Sequence, residues 1–246
     1  MQSGYYAALT GLLARSQTLD TIASNLANVG TAGFRAQTDY FRDVLAGPRV
    51  NDSQLDQAIN NYGVLGGTVL DLAQGAIKET GNPLDIAIQG EGFFAIKTPA
   101  GIRYTRDGRL VRTSKGTLST ADGNYPVLNA KDKEISLPPG NPVIGSDGSI
   151  SYDGAIAGQI AVFHFKDSRN LQAEGVDQYR PLGKVKPTIS KNFTIRQGAL
   201  EGSNQDVIHG TMQLILAQRQ AQMMEKALTI FYDDFNKPAT EDLPKV

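Results

Sequence analysis

Leu12, Leu19 and Leu26 recur every seven residues, and Leu9, Ser16 and Ala23 fall three residues ahead of each. That spacing is the seam of a helix laid against another helix. Between Ser3 and Phe34 only Arg15 and Asp20 carry charge. A helix on the surface of an ordinary domain sets a charged stripe opposite its apolar one. One so nearly uncharged expects neighbours on several sides. Taken alone, the stretch fits either a buried core helix or a helix that assembles with other chains.

The helix is expected to start at Ser3, which can cap it, and to run to about Asn28. Glycines in Val29-Gly30-Thr31-Ala32-Gly33 then break it. Asn25 and Asn28 lie on neighbouring positions of the helix surface. They read either as capping residues at the helix end or as polar residues that set register in an apolar seam. Phe34, Tyr40, Phe41, Val44 and Leu45 suggest a second short helix or an extended arm up to Pro48. Residues 53–61 could form another short helix with Leu55 and Ile59 on one side.

The far end of the chain mirrors the near end. Ser203 or Asn204 can cap a helix, and Ile208, Met212, Ile215, Leu216, Met223, Ala227 and Ile230 follow at helical spacing. Arg219 and Gln222 interrupt the stripe, and Lys237-Pro238 is expected to end it. An isolated pair of helices has little core, so it needs either a docking surface or other subunits. If the two helices assemble, the seam is expected to bury Leu12, Leu19 and Leu26 against Met212, Leu216, Met223 and Ile230, within and between chains.

The middle is different. Asp85-Ile86-Ala87-Ile88-Gln89 alternates, Gly90-Glu91-Gly92 turns, and Phe93-Phe94-Ala95-Ile96-Lys97 follows. Turn dipeptides recur at Asp107-Gly108, Lys115-Gly116, Asp122-Gly123, Asp147-Gly148 and Asp153-Gly154. Short segments between such pairs signal antiparallel hairpins. Gln159 to Phe165 reads as one later strand. The expected fold class is therefore α+β: N- and C-terminal helices pairing as a coiled coil, with an inserted, mostly antiparallel β domain. The expected bounds are 1–45 plus 199–246 for the helical part, 46–80 for a connector and 81–198 for the β part.

Little in the chain points to chemistry. Its 246 residues carry 24 basic and 25 acidic side chains, a formal charge of -1. That balance gives no electrostatic case for nucleic acid. Cysteine is absent, which removes disulfides, thiolate metal sites and a thiol nucleophile. No run reaches the roughly 18–20 apolar residues of a membrane span, so no membrane insertion is expected. The N-terminus lacks the features of a cleaved signal peptide. The two histidines, His164 and His209, sit in no ligand or triad pattern. Asp107, Asp122, Asp147 and Asp153 could in principle serve a hydrolase, but each precedes a turn glycine, where aspartate is favoured for backbone reasons. Arg103, Arg106, Arg109, Arg112 and Lys115 cluster as either a basic patch or a solvated hairpin. No catalytic residue, metal ligand or cofactor is assigned.

Three stretches together resemble a known family. Asn25-Leu26-Ala27-Asn28-Val29 through Gly33-Phe34-Arg35 resembles the N-terminal signature of flagellar rod and hook proteins. Gly75, then Thr80-Gly81-Asn82-Pro83-Leu84-Asp85 through Phe94 and on into Tyr104-Thr105-Arg106-Asp107-Gly108, looks like its second signature. Leu200-Glu201-Gly202-Ser203-Asn204 matches its C-terminal motif. The chain departs from the pattern at Gly30 and Ala32, where the family often has Asn and Pro, and in its C-terminal end from Phe231 on.

The resemblance implies a flagellar basal-body rod subunit, most like the proximal type, with a distal-rod or hook-related axial protein as the alternative. A β-rich adhesion module on a helical stalk is the alternative from another class. The family implies a hollow rod that transmits torque and conducts export substrates. Its terminal helices form a coiled coil at the inside of the tube. Partners implied are further copies, other rod subunits, the type III export apparatus and the rings around the rod. The location implied is the basal body, reached without a cleaved signal peptide. Subunit packing is expected at Leu12, Leu19, Asn25, Leu26, Asn28, Phe34, Ser203, Asn204, Met212, Ile215, Leu216, Met223 and Ile230.

Overall fold

The structure, a computed structural model, describes residues 2–42, 64–183 and 185–241. It is α+β, with a helix at each end and mostly antiparallel strands between. Helix α1 spans Gln2–Ala27. Strands β1 (Gln37–Arg42), β2 (Val64–Leu70), β3 (Ile77–Glu79), β4 (Ile86–Gly90), β5 (Phe93–Thr98) and β6 (Gly101–Thr105) follow. Then come β7 (Leu110–Arg112), β8 (Leu118–Thr120), β9 (Val143–Ile144), β10 (Ser149–Tyr152), β11 (Ala155–Gln159) and β12 (Val162–His164). Strands β13 (Leu171–Ala173), β14 (Gln178–Pro181), β15 (Thr188–Ile189), β16 (Phe193–Gln197) and β17 (Ala199–Glu201) lead into helix α2 (Val207–Glu241).

Two compact units result. One comprises residues 1–26, 38–68 and 207–246; the other comprises 27–37 and 69–206. In the second, a six-stranded sheet runs β13-β14-β6-β5-β12-β15, antiparallel at every pairing. Successive residues of a strand point to opposite faces. On β5, Phe94 and Ile96 enter one hydrophobic cluster while Phe93 and Ala95 enter another. The strand is thus buried on both sides, which is why it reads as a continuous apolar run rather than an alternating one.

The first cluster joins Ile86, Ile88, Leu110, Leu118, Val127, Ile150, Ile160 and Ile195. The second is aromatic: Tyr104 meets Phe165 edge-on at 4.8 Å, and Phe93 meets Tyr179 at 5.5 Å. Edge-to-face pairs of this kind contribute about 0.5–1.5 kcal/mol beyond their buried area.

Several elements differ from the sequence reading. Of the two readings after Phe34, the extended one holds over Gln37–Arg42, where β1 pairs with β2. Val44, Leu45 and the helix expected over 53–61 lie outside the described residues. Part of the expected connector is structured: β3 pairs with β17, Ile77 opposite Glu201 and Glu79 opposite Ala199. Gln159–Phe165 is not one strand. Gln159 ends β11 beside β10, the chain turns inward at Ile160 and Ala161, and β12 joins the six-stranded sheet beside β5. Helix α2 continues through Pro238 to Glu241. A proline inside a helix removes one backbone hydrogen bond, and here only the last turn follows it.

Candidate functional site

On α2 the burial follows a heptad. Gly210 and Ala217 are buried, and Leu214, Ala221, Met224 and Leu228 are partly so. The spacing alternates between four and three residues, which keeps one face inward. On α1 the corresponding set is Gly11, Arg15, Thr18, Ile22 and Asn25, the last only 6% exposed. A Cβ placed on Gly11 would lie 3.5 Å from Met224 Cε, so the two helices touch there. Thr21 Oγ1 also donates to Asp39 Oδ1 at 2.9 Å, tying α1 to β1.

Within the single chain, the expected seam residues of α2 are not the ones turned inward. Ile208, Met212, Ile215, Leu216, Met223 and Ile230 lie on the opposite side and are 46–71% exposed in the single chain. The inward face alternates the small residues Gly210, Ala217 and Ala221 with Leu214, Met224 and Leu228, and the small ones leave room for a neighbouring helix. On α1, Leu12, Leu19 and Leu26 are partly buried and flank the inward set, while Ser16 and Ala23 point outward. Asn28 accepts from Thr31 N at 3.1 Å through its backbone oxygen and from Thr31 Oγ1 at 3.3 Å through its side chain. It shapes the turn that ends α1.

The second feature is a clasp inside the β-rich unit. Glu201, at the end of β17, is fully buried. Its Oε1 accepts from Arg35 Nη2 at 2.7 Å and from Gly75 N at 2.9 Å; its Oε2 accepts from Arg106 Nη1 at 2.9 Å. Arg106 also donates to Ile88 O and Gly90 O, at 3.2 and 2.6 Å, and its guanidinium lies 5.4 Å from the centre of the Phe93 ring. Arg35 N donates to the Tyr179 hydroxyl at 2.9 Å. Burial pulls the Arg106 pKa down to about 10, an effect that Glu201 opposes and Arg35 adds to. Burial pushes the Tyr179 hydroxyl upward. With its pKa at about 10 the Arg106 guanidinium stays charged at neutral pH, and the guanidinium groups of Arg35 and Arg106 share the one Glu201 carboxylate. Among the described residues, Arg35 Nε and Nη1 and Arg106 Nε make no hydrogen bond.

Backbone completes the clasp. Gly33 N donates to Glu201 O at 2.8 Å, and Gly202 N to Ala76 O at 2.8 Å. Asn204 Oδ1 accepts from Ala36 N at 2.7 Å, while its Nδ2 donates to Asp71 O and Ala73 O. One amide side chain thus holds three segments together. Ser203 Oγ accepts from Gln205 N at 3.1 Å, a local turn just ahead of α2. Phe34 is buried beside these contacts in sequence. Gly33 has φ +69°, and a Cβ there would fall 2.3 Å from Arg106 C and Asp107 N. Only glycine fits so close to another backbone.

Of the residues named from sequence, Phe34, Ser203 and Asn204 belong to the clasp region, whereas its charged centre, Arg35, Arg106 and Glu201, was missed. Each lies in a quoted motif, flanked by apolar or turn residues, and a charge in such a setting is the available signal. The basic hairpin is not a patch: Arg103 bonds Glu174 through Nε and Nη2, Arg109 bonds Asp107 and Asp122, and Arg112 Nε donates to Leu137 O. Asp107 and Asp122 are thereby engaged by Arg109. His164 Nδ1 lies 3.3 Å from Glu91 Oε2. Among the described residues no three histidine or carboxylate side chains gather as a metal-holding group.

A unit closed on itself by such a clasp, joined to helices that hold large apolar residues outward, is built like the subunit of a polymer. Residues 6–35 match the family described as flagella basal body rod protein, and residues 87–157 match the flagellar hook protein FlgE/F/G D1 domain. The chain is 37% identical over 222 residues to the flagellar basal-body rod protein FlgF of Mesorhizobium japonicum, covering 89% of each chain. It is 30% identical to FlgF of Caulobacter vibrioides over the full length of both. It is 32% identical to the rod protein FlgG of Bacillus subtilis, across 93% of this chain and 95% of that one. The chain belongs to the flagellar basal-body rod protein family.

Proposed function

We propose that the chain is a structural subunit of the flagellar basal-body rod, of the proximal type, polymerising with itself and with other rod components in the basal body. The observation that carries this reading is the pair of opposed apolar faces on α2. One is covered within the chain; the other exposes Ile208, Met212, Leu216, Met223 and Ile230 along about six turns. A soluble monomer rarely leaves so long an apolar stripe in water. The support for the proximal type is the pair of FlgF relatives from Mesorhizobium and Rhizobium at 37 and 34% identity; FlgG of Bacillus subtilis, at 32%, lies between these and FlgF of Caulobacter at 30%.

In this reading α1 and α2 pair as an antiparallel coiled coil. Gly11 meets Met224, and the remaining lengths, Gly11 to Ala27 and Met224 back to Val207, are nearly equal. Asn25 supplies buried polarity that fixes the register. The clasp gives the mechanics. The backbone passes between the two compact units at 26–27, 37–38, 68–69 and 206–207. Gly33, Arg35 and Ala36 lie between the first two passages, Asp71 to Gly75 follow the third, and Glu201 to Asn204 precede the fourth. Torque carried from one unit to the other runs through segments that the clasp ties together. The role is mechanical, not enzymatic, with export through the flagellar type III apparatus and the surrounding rings as further partners.

Leu216→Asp tests the reading. In cells whose own copy is deleted, the variant should leave no detectable subunit in isolated basal bodies and no swimming, while the β-rich unit keeps its circular dichroism. Normal incorporation would remove the basis for the assignment.

A further inference from the structure

The outward faces of the two helices differ in size and in charge. On α1 the exposed residues include Leu13, Ser16, Gln17, Asp20, Ala23 and Ala27, so the face is mostly small and its one charge is Asp20. On α2 the exposed stripe is large and apolar, and Arg219 and Lys226 lie within it, seven residues apart. At 100° per residue these two fall on the same side as Met212, Met223 and Ile230. Neither Asp20 nor Arg219 is partnered within the described residues.

Like faces do not suit each other. Two α2 stripes brought together would oppose pairs of cations in an apolar setting, and two α1 faces would oppose carboxylates while leaving small-residue gaps. Unlike faces do fit. We infer that the outward stripe of α2 docks on the outward face of α1 of a second copy, with Asp20 against Arg219. The contact is heterologous, and a heterologous contact that does not close generates an open helical polymer.

The register follows. In a polar polymer all copies point one way, so α1 of one copy and α2 of the next run antiparallel, as α1 and α2 of one chain are proposed to do. Aligning Asp20 with Arg219 then places Ser16 opposite Met223, Ala23 opposite Leu216 and Ala27 opposite Met212. Each small residue meets a large one, the arrangement of knobs in holes. This inference rests on the rod-subunit reading but specifies which surfaces meet.

Two measurements test it in cells carrying the full chain as the sole copy. Asp20→Arg and Arg219→Asp should each reduce the subunit in isolated basal bodies at least tenfold, and the double variant should return it to within threefold of the original. The chain has no cysteine of its own. Ser16→Cys with Met223→Cys in one chain should therefore give a ladder of crosslinked oligomers under a short thiol crosslinker, and either cysteine alone only monomer. A double charge variant no better than its worse parent, or Met223→Cys dimers formed without Ser16→Cys, would overturn the pairing. If Leu216→Asp still blocks incorporation in that case, the rod reading stands and only the partner surface is wrong. If Leu216→Asp is incorporated normally, the rod reading itself falls.

Discussion

The two compact units hold their large apolar residues in opposite ways. In the β-rich unit Ile86, Ile88, Phe94, Leu118, Val162 and Tyr179 are all fully buried. In the helical unit Ile208, Met212, Ile215, Leu216, Met223 and Ile230 of α2 face outward, while Gly210 and Ala217 are buried on its inner side. The first unit supplies its own core and a buried ion clasp. The second keeps part of its hydrophobic surface for something outside the chain. A subunit that must be stable before assembly and adhesive during it needs both, in separate places.

The largest effect expected on this contrast comes from Glu201. Glu201→Ala leaves Arg35 and Arg106 buried without their anion. Breaking a buried pair in that way costs about 3–5 kcal/mol. For a unit of this size the unfolding midpoint should fall by about 10 °C or more, read by calorimetry on the purified chain. A variant as stable as the original would mean that the clasp is not what closes the unit.

Gly33→Ala comes next. Its φ of +69° disfavours a side chain, and the new Cβ would meet the Arg106 and Asp107 backbone. The expected loss is about 2–3 kcal/mol, again in the β-rich unit. Gly30, three residues earlier, has open space around its Cα. Gly30→Ala serves as the control and should change the midpoint little.

A smaller effect should appear with pH. Burial, and then the nearby Asp107 charge, lift the Asp177 carboxyl to about 6, with Arg109 opposing. Its unfolded value is about 3.9. A raised carboxylate binds its proton more tightly when folded, so its contribution is present below about pH 4 and is lost as pH rises through about 6. The expected difference is ~1 kcal/mol, after allowance for solvent screening of a half-buried group. Denaturant midpoints between pH 4.5 and 7.5 should decline in the original chain and stay flatter in Asp177→Asn. Asp147, Asp167 and Glu174, whose carboxyls are held low by neighbouring donors, act at more acid pH. A slope unchanged by Asp177→Asn would place the pH response elsewhere.

How much of this was legible follows the same division. The two terminal helices and the β-rich middle were readable, because periodicity and Asp-Gly turns are local signals. The face that α2 turns inward was not. A stripe of Met, Leu and Ile says which side must leave water, not which chain covers it. Gly210, Ala217 and Ala221 carry almost no hydrophobic signal although they line the covered side. Gln159–Phe165 looked like one strand because apolar residues continue across the passage from one sheet to another. The clasp was hidden for a different reason: Arg35, Arg106 and Glu201 are separated by 71 and 95 residues, and pairing among charges that distant is fixed only by the fold.

The smallest effect is the most discriminating for the comparison. Met223 is 63% exposed in the single chain, so Met223→Gln should change the stability of the purified subunit by no more than about 0.5 kcal/mol. In an assembled rod the same side chain would be surrounded, and a polar amide without a partner there costs about 1–3 kcal/mol per copy. Repeated at every subunit, that cost should shorten or abolish the rod while leaving the monomer's unfolding curve where it was. Met224→Gln, on the covered face one residue along, should do the reverse within the monomer and lower its helical stability measurably. If both substitutions lowered monomer stability equally, the two faces of α2 would not be doing different work, and the contrast between a closed unit and an open one would collapse to a single ordinary core.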